Sequence, residues 1–436
     1  MIIKKLKLII KFILGYRIKT IKKKRVYKVK EICDLLKIDI PKKYIKIKNR
    51  YVTKTFLFNK LENKDALIAC IKRKHKKYFT EDYYIDIDNK AELFIEIYTE
   101  QYENKNKSLD YDVIQLFVEY LYVFAPLKYT PRDYFNFEFF RKTTKEADKF
   151  ITFVYRNRVL EYSCNLRSYG KFFNNKVIFN KTFSKFVKRD WLYTGTSTSQ
   201  EFEDFAKKHS VFIGKPIKES LGGKDISIFR YNENDIINKL FSECYKEDLI
   251  VEEIVSNNES IKAFNDTTLN TVRIYSLLSK DNIPLIITAL FRVGRKNNFV
   301  DNFSQDGLAA VIDVNTGKII SNAVDFTHTF YEKHPDSQIP FKGFQIPFWD
   351  KVIKTVKEAA MLVPKIRSIG WDIVIREDNT IEILEGNQDA GFKAVQTADQ
   401  VGKKDLYKIH IGELYKRRKK IDAKRKRRKE NEEENA

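Results

Sequence analysis

Cysteine is scarce in this 436-residue chain. Cys33, Cys70, Cys164 and Cys244 are the full set, and no two form a CxxC pair. With only five scattered histidines, a disulfide framework and a Cys2His2 zinc site are excluded, and a reducing cytoplasm fits best. Proline (9) and glycine (15) are few. Together with 14% aromatic residues, this excludes global disorder and collagen-like or mucin-like chains. Long apolar runs are missing at the start of the chain. Over residues 1–30 the longest are three residues, as in Leu8-Ile9-Ile10 and Phe12-Ile13-Leu14. A secretory signal needs roughly 7–15 and a spanning helix about 20. Acids are absent from the same thirty residues, which carry twelve Lys and Arg.

The net charge of +23 is therefore uneven. A second basic block, residues 416–429, holds eleven Lys and Arg against Asp422 alone, and four glutamates follow it. The intervening body carries 59 basic and 54 acidic residues and is nearly neutral. A nucleic-acid-binding core would concentrate charge in the body, so nucleic acid is not the expected partner. Charged ends suggest docking to an anionic surface. A low-GC coding bias also enriches Lys, Asn and Ile, but it does not explain the missing acids. In the first segment Ile2, Ile3, Leu6, Ile9, Ile10, Ile13 and Leu14 follow helical spacing, with Lys4, Lys7 and Lys11 off that face. This reads as a helix lying in a membrane interface, on the inner face of the cell membrane. A helix packed on the body would share the spacing.

With 43% apolar residues and this length, two or three structural units are expected. Residues 31–165 read as mainly helical and rich in Tyr and Phe, with apolar spacing at Val113, Phe117, Tyr120 and Leu121. From about residue 170, short β-branched runs alternate with helices, which argues α+β. Residues 349–363 read as one helix ending before Pro364. The expected division is a basic amphipathic helix (1–30), a helical domain (31–165), an α+β domain (166–410) and a charged tail (411–436).

The chemistry-bearing residues lie in the α+β part. Asp372, in the run Gly370 to Val374, stands thirteen residues before Glu385, and Asn387 follows two later. On a strand, i and i+2 share a face. If the two strands pair through the turn at Glu377-Asp378-Asn379, two carboxylates and an amide oxygen converge, a hard donor set suited to Mg2+. Chance acids at the ends of a hairpin are the alternative. Upstream, Val211 to Pro216 is a strand carrying Lys215, followed by a small-residue loop with Ser220, Gly222 and Gly223. Such a loop can turn N–H groups toward phosphate, though GxxxxGK[ST] is absent. Leu249 to Val255 is a strand with an acidic pair, and Glu259 follows.

In this order (Lys-Pro, small-residue loop, acidic hinge, Asp, Glu-x-Asn) residues of about 175–395 resemble the ATP-grasp superfamily. Asn270-Thr271-Val272-Arg273, Asp301-Asn302-Phe303-Ser304-Gln305, His334-Pro335, Trp349-Asp350 and Gly370-Trp371-Asp372 make them similar to its sugar-transfer-associated branch. The resemblance implies two α+β subdomains clamping ATP. It implies that Lys215 and, in a looser match, Lys181 contact the phosphates, and that Ser220, Gly222 and Gly223 cover them. Glu252, Glu253, Ile254 and Val255 would form the adenine hinge and Glu259 would bind the ribose. Asp372, Glu385 and Asn387 would hold Mg2+. Asp306-Gly307 stands where the branch usually has Gly-Gly, which alters the acceptor side.

Members of the superfamily typically join a carboxylate to an amine through an acyl phosphate. Arg273, Arg292 and Arg295 are candidates for gripping the acid and stabilising its oxyanion. Asp301 and Asn302 are candidates for orienting the amine or sugar. The leading expectation is an ATP-dependent ligase in cell-surface polysaccharide biosynthesis or modification, acting on sugar-linked substrates. A sugar phosphotransferase on the same fold and a membrane-tethered scaffold stay open. Deleting residues 1–15 should release the protein from membranes and leave nucleotide binding intact; sedimentation of the truncated protein with membranes would count against an N-terminal anchor.

Overall fold

The computed structural model describes residues 93–434 except for 103–104, 106–115, 117–119, 121–123, 125–128, 218–225, 233–236, 296–300 and 302. The amphipathic segment 1–30, most of the 31–165 region's first half, Ser220, Gly222, Gly223 and Asn302 lie outside the described residues. The chain divides into two units, residues 1–156 with 400–405 and residues 157–399 with 406–436.

The described part of the first unit is helical. Helix α1, Pro131–Asn136, starts at Thr130, whose hydroxyl and backbone exchange hydrogen bonds with Asp133 in a capping box. Aromatic rings form its core: Phe94 and Phe135 lie 4.5 Å apart, and Phe124 stacks on Phe139 at 5.5 Å. Further short helical turns follow α1, up to Phe153–Tyr155.

The second unit holds two antiparallel sheets. Helix α2, Lys176–Thr182, is capped by the Asn175 side chain. The smaller sheet contains β1 (Trp191–Tyr193), β2 (Val211–Pro216), β3 (Ser227–Arg230) and β4 (Leu249–Glu253), in the order β1-β4-β2-β3. Helix α3, Ser199–Lys208, covers it with Phe202, Phe205 and Ala206, and α4, Ile237–Lys246, adds Cys244 to the same core. Strand β2 alternates in burial along its length rather than being buried throughout.

The larger sheet runs β11-β10-β5-β6-β7-β8-β9. Its strands are β5 (Thr271–Leu278), β6 (Pro284–Val293), β7 (Leu308–Ile312), β8 (Ala323–Val324), β9 (Phe330–Tyr331), β10 (Ser368–Ile375) and β11 (Ile381–Asn387). Strand periodicity sorts the side chains. Val272 and Ile274 of β5, with Ile369, Trp371, Ile373 and Ile375 of β10, enter the main core. Helix α5, Trp349–Ala360, contributes Trp349, Val352, Val356, Ala359 and Ala360 to that core. It stops three residues earlier than the sequence suggests. Met361 and Leu362 bond back three residues, to Glu358 and Ala359, and this tightens the last turn ahead of Pro364. The opposite strand face carries Thr271, Arg273, Gly370 and Asp372. Two further helices close the chain, α6 (Lys393–Asp399) and α7 (Lys404–Glu434).

A β-bulge between Asp372 and Ile373 sets the face of β11. Asp372 pairs with Glu385 while Val374 pairs with Glu382. Two residues on β10 therefore span three on β11, and both glutamates stay on one side. Glu382, fully buried, receives Arg189 Nη1 at 2.7 Å, Arg376 Nη1 at 2.7 Å and the backbone N–H of Lys188 and Arg189. Arg189 also lies 3.0 Å from Glu252 of β4, and Arg376 donates to Glu253 at 2.6 Å. These pairs tie the two sheets together. Removing one partner strands the other charge in the interior. Glu382→Leu should cost about 3–5 kcal/mol of stability, read as a lowered urea midpoint; an unchanged midpoint would show that the network carries no structural load.

Candidate active site

Between the sheets lies a cleft of about 1110 Å3. Its upper wall comes from the small sheet and the segment after β4, its floor from β5, β6, β10 and β11. The floor carries a cross-strand row. Glu385 faces Asp372, and Asp372 faces Arg273. Arg273 grips Asp372 with two donors, Nε to Oδ1 and Nη2 to Oδ2, the latter at 2.6 Å. Arg292, directly opposite Thr271, reaches Asp372 Oδ1 at 3.1 Å and Asp301 Oδ1 at 2.8 Å. Thr271 donates its hydroxyl to Asp301 Oδ2. Gly370 is required here: a Cβ would fall 2.5 Å from Ala390 Cβ and 3.3 Å from Arg273 Cδ, displacing the gripping arginine.

This packing orders the charges. Burial alone would raise the Asp372 carboxyl, but Arg273 and Arg292 outweigh it and hold it well below the usual carboxylate range. Glu385 is open to the cleft yet enclosed by surrounding protein. That enclosure, then the charge of Asp372, pushes its carboxyl up. Burial also raises Asp301, against the pull of Arg292 and the Thr271 hydroxyl. Three carboxylates share two guanidinium groups, so the floor has room for more positive charge. Asn387 donates its amide N–H to Glu385 Oε1 at 3.0 Å, so the two residues meet on the cleft side. Asp372, Glu385 and Asn387 thus present hard oxygen donors together, and this set fits Mg2+.

The opposite wall holds Lys215. Its ammonium donates to Glu252 Oε2 at 2.7 Å. Burial would raise Glu252; Arg189 and Lys215 reverse this and bring its carboxyl to about 2. Beside it, Ile226, Ile228 and Ile254 keep 36%, 43% and 49% of their surface open, all toward the cleft. With Ile213, Leu269 and Leu384 they make up an apolar part of the cleft lining.

The structure gathers Lys215, Glu252, Ile254, Val255, Arg273, Arg292, Asp301, Asp372, Glu385 and Asn387 around one cleft. Four expected residues lie elsewhere. Lys181 is exposed on α2 and outside the lining; Lys176, one helical turn before Asn180 and on its face, lines the cleft and donates to the Pro216 carbonyl at 2.9 Å. Glu259 is exposed and pairs with Lys262 at 3.4 Å. Glu253 turns to Arg376. Arg295 is held between Asp325 at 3.0 Å and Asp306 at 3.2 Å, off the cleft lining. Glu252 itself is a buried strand residue whose carboxylate anchors Lys215, and the segment after β4 lines the cleft from Ile254 to Asn257. Arg189 and Glu382 were not anticipated, because their partners lie at sequence distances no periodicity reports. Several motif residues are structural. Asn270 bonds Asn257, Asn265 and Gly294, and His334 bonds the Gly294 carbonyl.

The family described as sugar-transfer associated ATP-grasp matches residues 155–410. The chain belongs to that family. Its fold is ATP-grasp, α+β, and members of the superfamily are ATP-dependent ligases that use ATP and Mg2+. Among solved structures, the ATP-grasp ligase PsnB with its minimal precursor is 15% identical, covering 56% of this chain and 62% of that chain at a TM-score of 0.36. The D-alanine-D-alanine ligase from Coxiella burnetii is 10% identical, with coverage of 58% and 62% and a TM-score of 0.35. N5-carboxyaminoimidazole synthetase from Staphylococcus aureus, complexed with ADP, is 10% identical, with coverage of 55% and 52% and a TM-score of 0.36. The matched region spans less than two thirds of each of these chains. No curated protein matches the chain.

The Glu252 carboxyl, at about 2 in the fold against an ordinary 4.5, has a signed consequence. Its stabilising contribution is complete above pH 4.5 and is lost as pH falls toward 2. Glu252→Gln should therefore flatten the acid limb of a urea-stability profile across that window. Parallel profiles for the two proteins would assign the acid sensitivity to other groups.

Proposed function

We propose that the protein is a Mg-ATP-dependent carboxylate–amine ligase that works through an acyl phosphate on sugar-linked substrates of cell-surface polysaccharide. One observation carries the reading: the row Glu385–Asp372–Arg273, with Arg292, faces Lys215 across a cleft that ends in an apolar slot. Adenine would enter the slot beside Ile228 and Ile254, with the hinge backbone from Ile254 to Asn257 at its edge. Lys215 would meet the phosphates, held in place by Glu252. Mg2+ on Asp372, Glu385 and Asn387 would supply charge neutralisation for the transferring phosphoryl group.

In the first half-reaction an acid substrate's carboxylate oxygen attacks the γ-phosphorus. The bond from that phosphorus to the β,γ-bridging oxygen breaks, and ADP leaves with the electron pair. In the second, the amine attacks the acyl carbon, the carbon–oxygen bond to phosphate breaks, and the amine proton is released. Positioning supplies most of the rate. Arg292 suits the acid: its guanidinium lines the cleft and is fixed there by Asp372 and Asp301. A substrate carboxylate or a developing oxyanion would meet a cation already held in place. The matched family supports the sugar link. The amphipathic cationic stripe in residues 1–30 supports an inner-membrane-surface location, and no helix among the described residues is long and apolar enough to cross a membrane.

The test is Mg2+-dependent ATP turnover against paired panels of amino acids and uronic-acid sugars, with ADP, AMP and phosphate assayed separately. ADP and phosphate released only with an acid–amine pair is the expected result. Asp372→Asn or Glu385→Gln should lower it about a hundredfold or more. ADP without free phosphate would replace this reading with a phosphotransferase, and AMP would exclude the acyl-phosphate route.

A further inference from the structure

The catalytic cleft leaves the second basic block unused. Residues 416–429 form part of the continuous helix α7. At about 1.5 Å per residue they make a cationic rod roughly 20 Å long. Its root is clamped to the catalytic unit. Tyr162 donates its hydroxyl to Asp422 Oδ2 at 2.6 Å, and its ring lies 5.6 Å from that of Tyr415. The Arg418 guanidinium sits over the Tyr162 ring at 5.4 Å and bonds Asp422 at 3.3 Å. The block's one acid is thus committed at the root. Lys416, Arg417, Lys419 and Lys420 are exposed there. Lys416 and Lys420 stand at i,i+4, and Arg417 and Lys420 at i,i+3, spacings at which like charges destabilise a helix. An anionic surface would relieve that repulsion.

We infer that residues 416–429 are a lipid-docking arm that seats the catalytic unit on an anionic membrane surface. Two observations favour lipid over nucleic acid. The body between the two charged ends is nearly neutral, with 59 basic and 54 acidic residues, where a nucleic-acid-binding core would concentrate positive charge. The chain's other unopposed cationic segment, residues 1–30, has an apolar stripe that a bilayer interface can accept and a phosphate backbone cannot. The arm lacks such a stripe, with Ile421 and Ala423 as its only uncharged residues. It therefore adsorbs by charge alone, as the second of two signals of the kind stable peripheral attachment needs. Because its root is held by Tyr162, adsorption also fixes the orientation of the cleft-bearing unit. This inference does not depend on the reaction proposed above.

Full-length protein is partitioned between buffer and vesicles of phosphatidylcholine with phosphatidylserine, or of phosphatidylcholine alone, at low and high salt. The variant replaces Lys416, Arg417, Lys419 and Lys420 with Gln. The expected result is preference for the anionic vesicles, loss at high salt, and a drop of about tenfold or more in the variant with Mg-ATP affinity retained. A second measurement needs no variant: the anionic vesicles should protect the bonds after Lys416, Arg417, Lys419 and Lys420 of the wild-type chain from trypsin. Unchanged partition in the variant, cleavage of those bonds on vesicles, or tighter and arm-dependent binding to duplex RNA or DNA would each overturn the inference.

Discussion

The buried carboxylate of Glu252 is the point on which both halves of the site depend. It holds Lys215 on the cleft side and meets Arg189 on the interior side. Arg189 in turn meets Glu382 on the far sheet, and Glu382 meets Arg376, which reaches back to Glu253. The chain of alternating charge closes on the small sheet where it began. In the low-dielectric interior each member is tolerable only because its neighbours are present. The same pairs that join the sheets therefore also hold a lysine on the wall of the cleft.

The floor of the cleft uses the same physics for another purpose. Asp372 is kept ionised by two arginines, while Glu385 beside it is pushed toward its neutral form. Neighbouring acids with opposed tendencies make a site that gains from a further cation. Arg292 links this pair to Asp301, so its guanidinium is held in place on the cleft floor. Preorganisation of this kind lowers the reorganisation needed during the reaction.

Local rules made part of this legible. The period of two on β10 and β11 foretold that Glu385 and Asn387 share a face and that Asp372 could join them. The β-branched runs foretold an α+β region, and the clustering of cations at the two chain ends was visible by counting. The family resemblance, rather than a local rule, pointed to Lys181; Lys176 on the same short helix lines the cleft, and only the packing of α2 tells the two apart. The resemblance also put Glu252 in a hinge, whereas the structure buries its carboxylate between Arg189 and Lys215. Arg295 is drawn off the cleft lining by Asp325 and Asp306, contacts that strand position alone does not report.

The sequence by itself determined the α+β class, the metal-ligand spacing, the family motifs and the charge asymmetry, because each is carried by residues close in the chain or by simple totals. Only the tertiary structure decided which motif residues are structural, which lysine of α2 lines the cleft, and how the bulge opposite Asp372 keeps Glu382 and Glu385 on one side. Arg189 meets Glu382 across 193 residues and Arg273 meets Asp372 across 99. Contacts at such separations exist only once the sheets have packed, and no local periodicity encodes them.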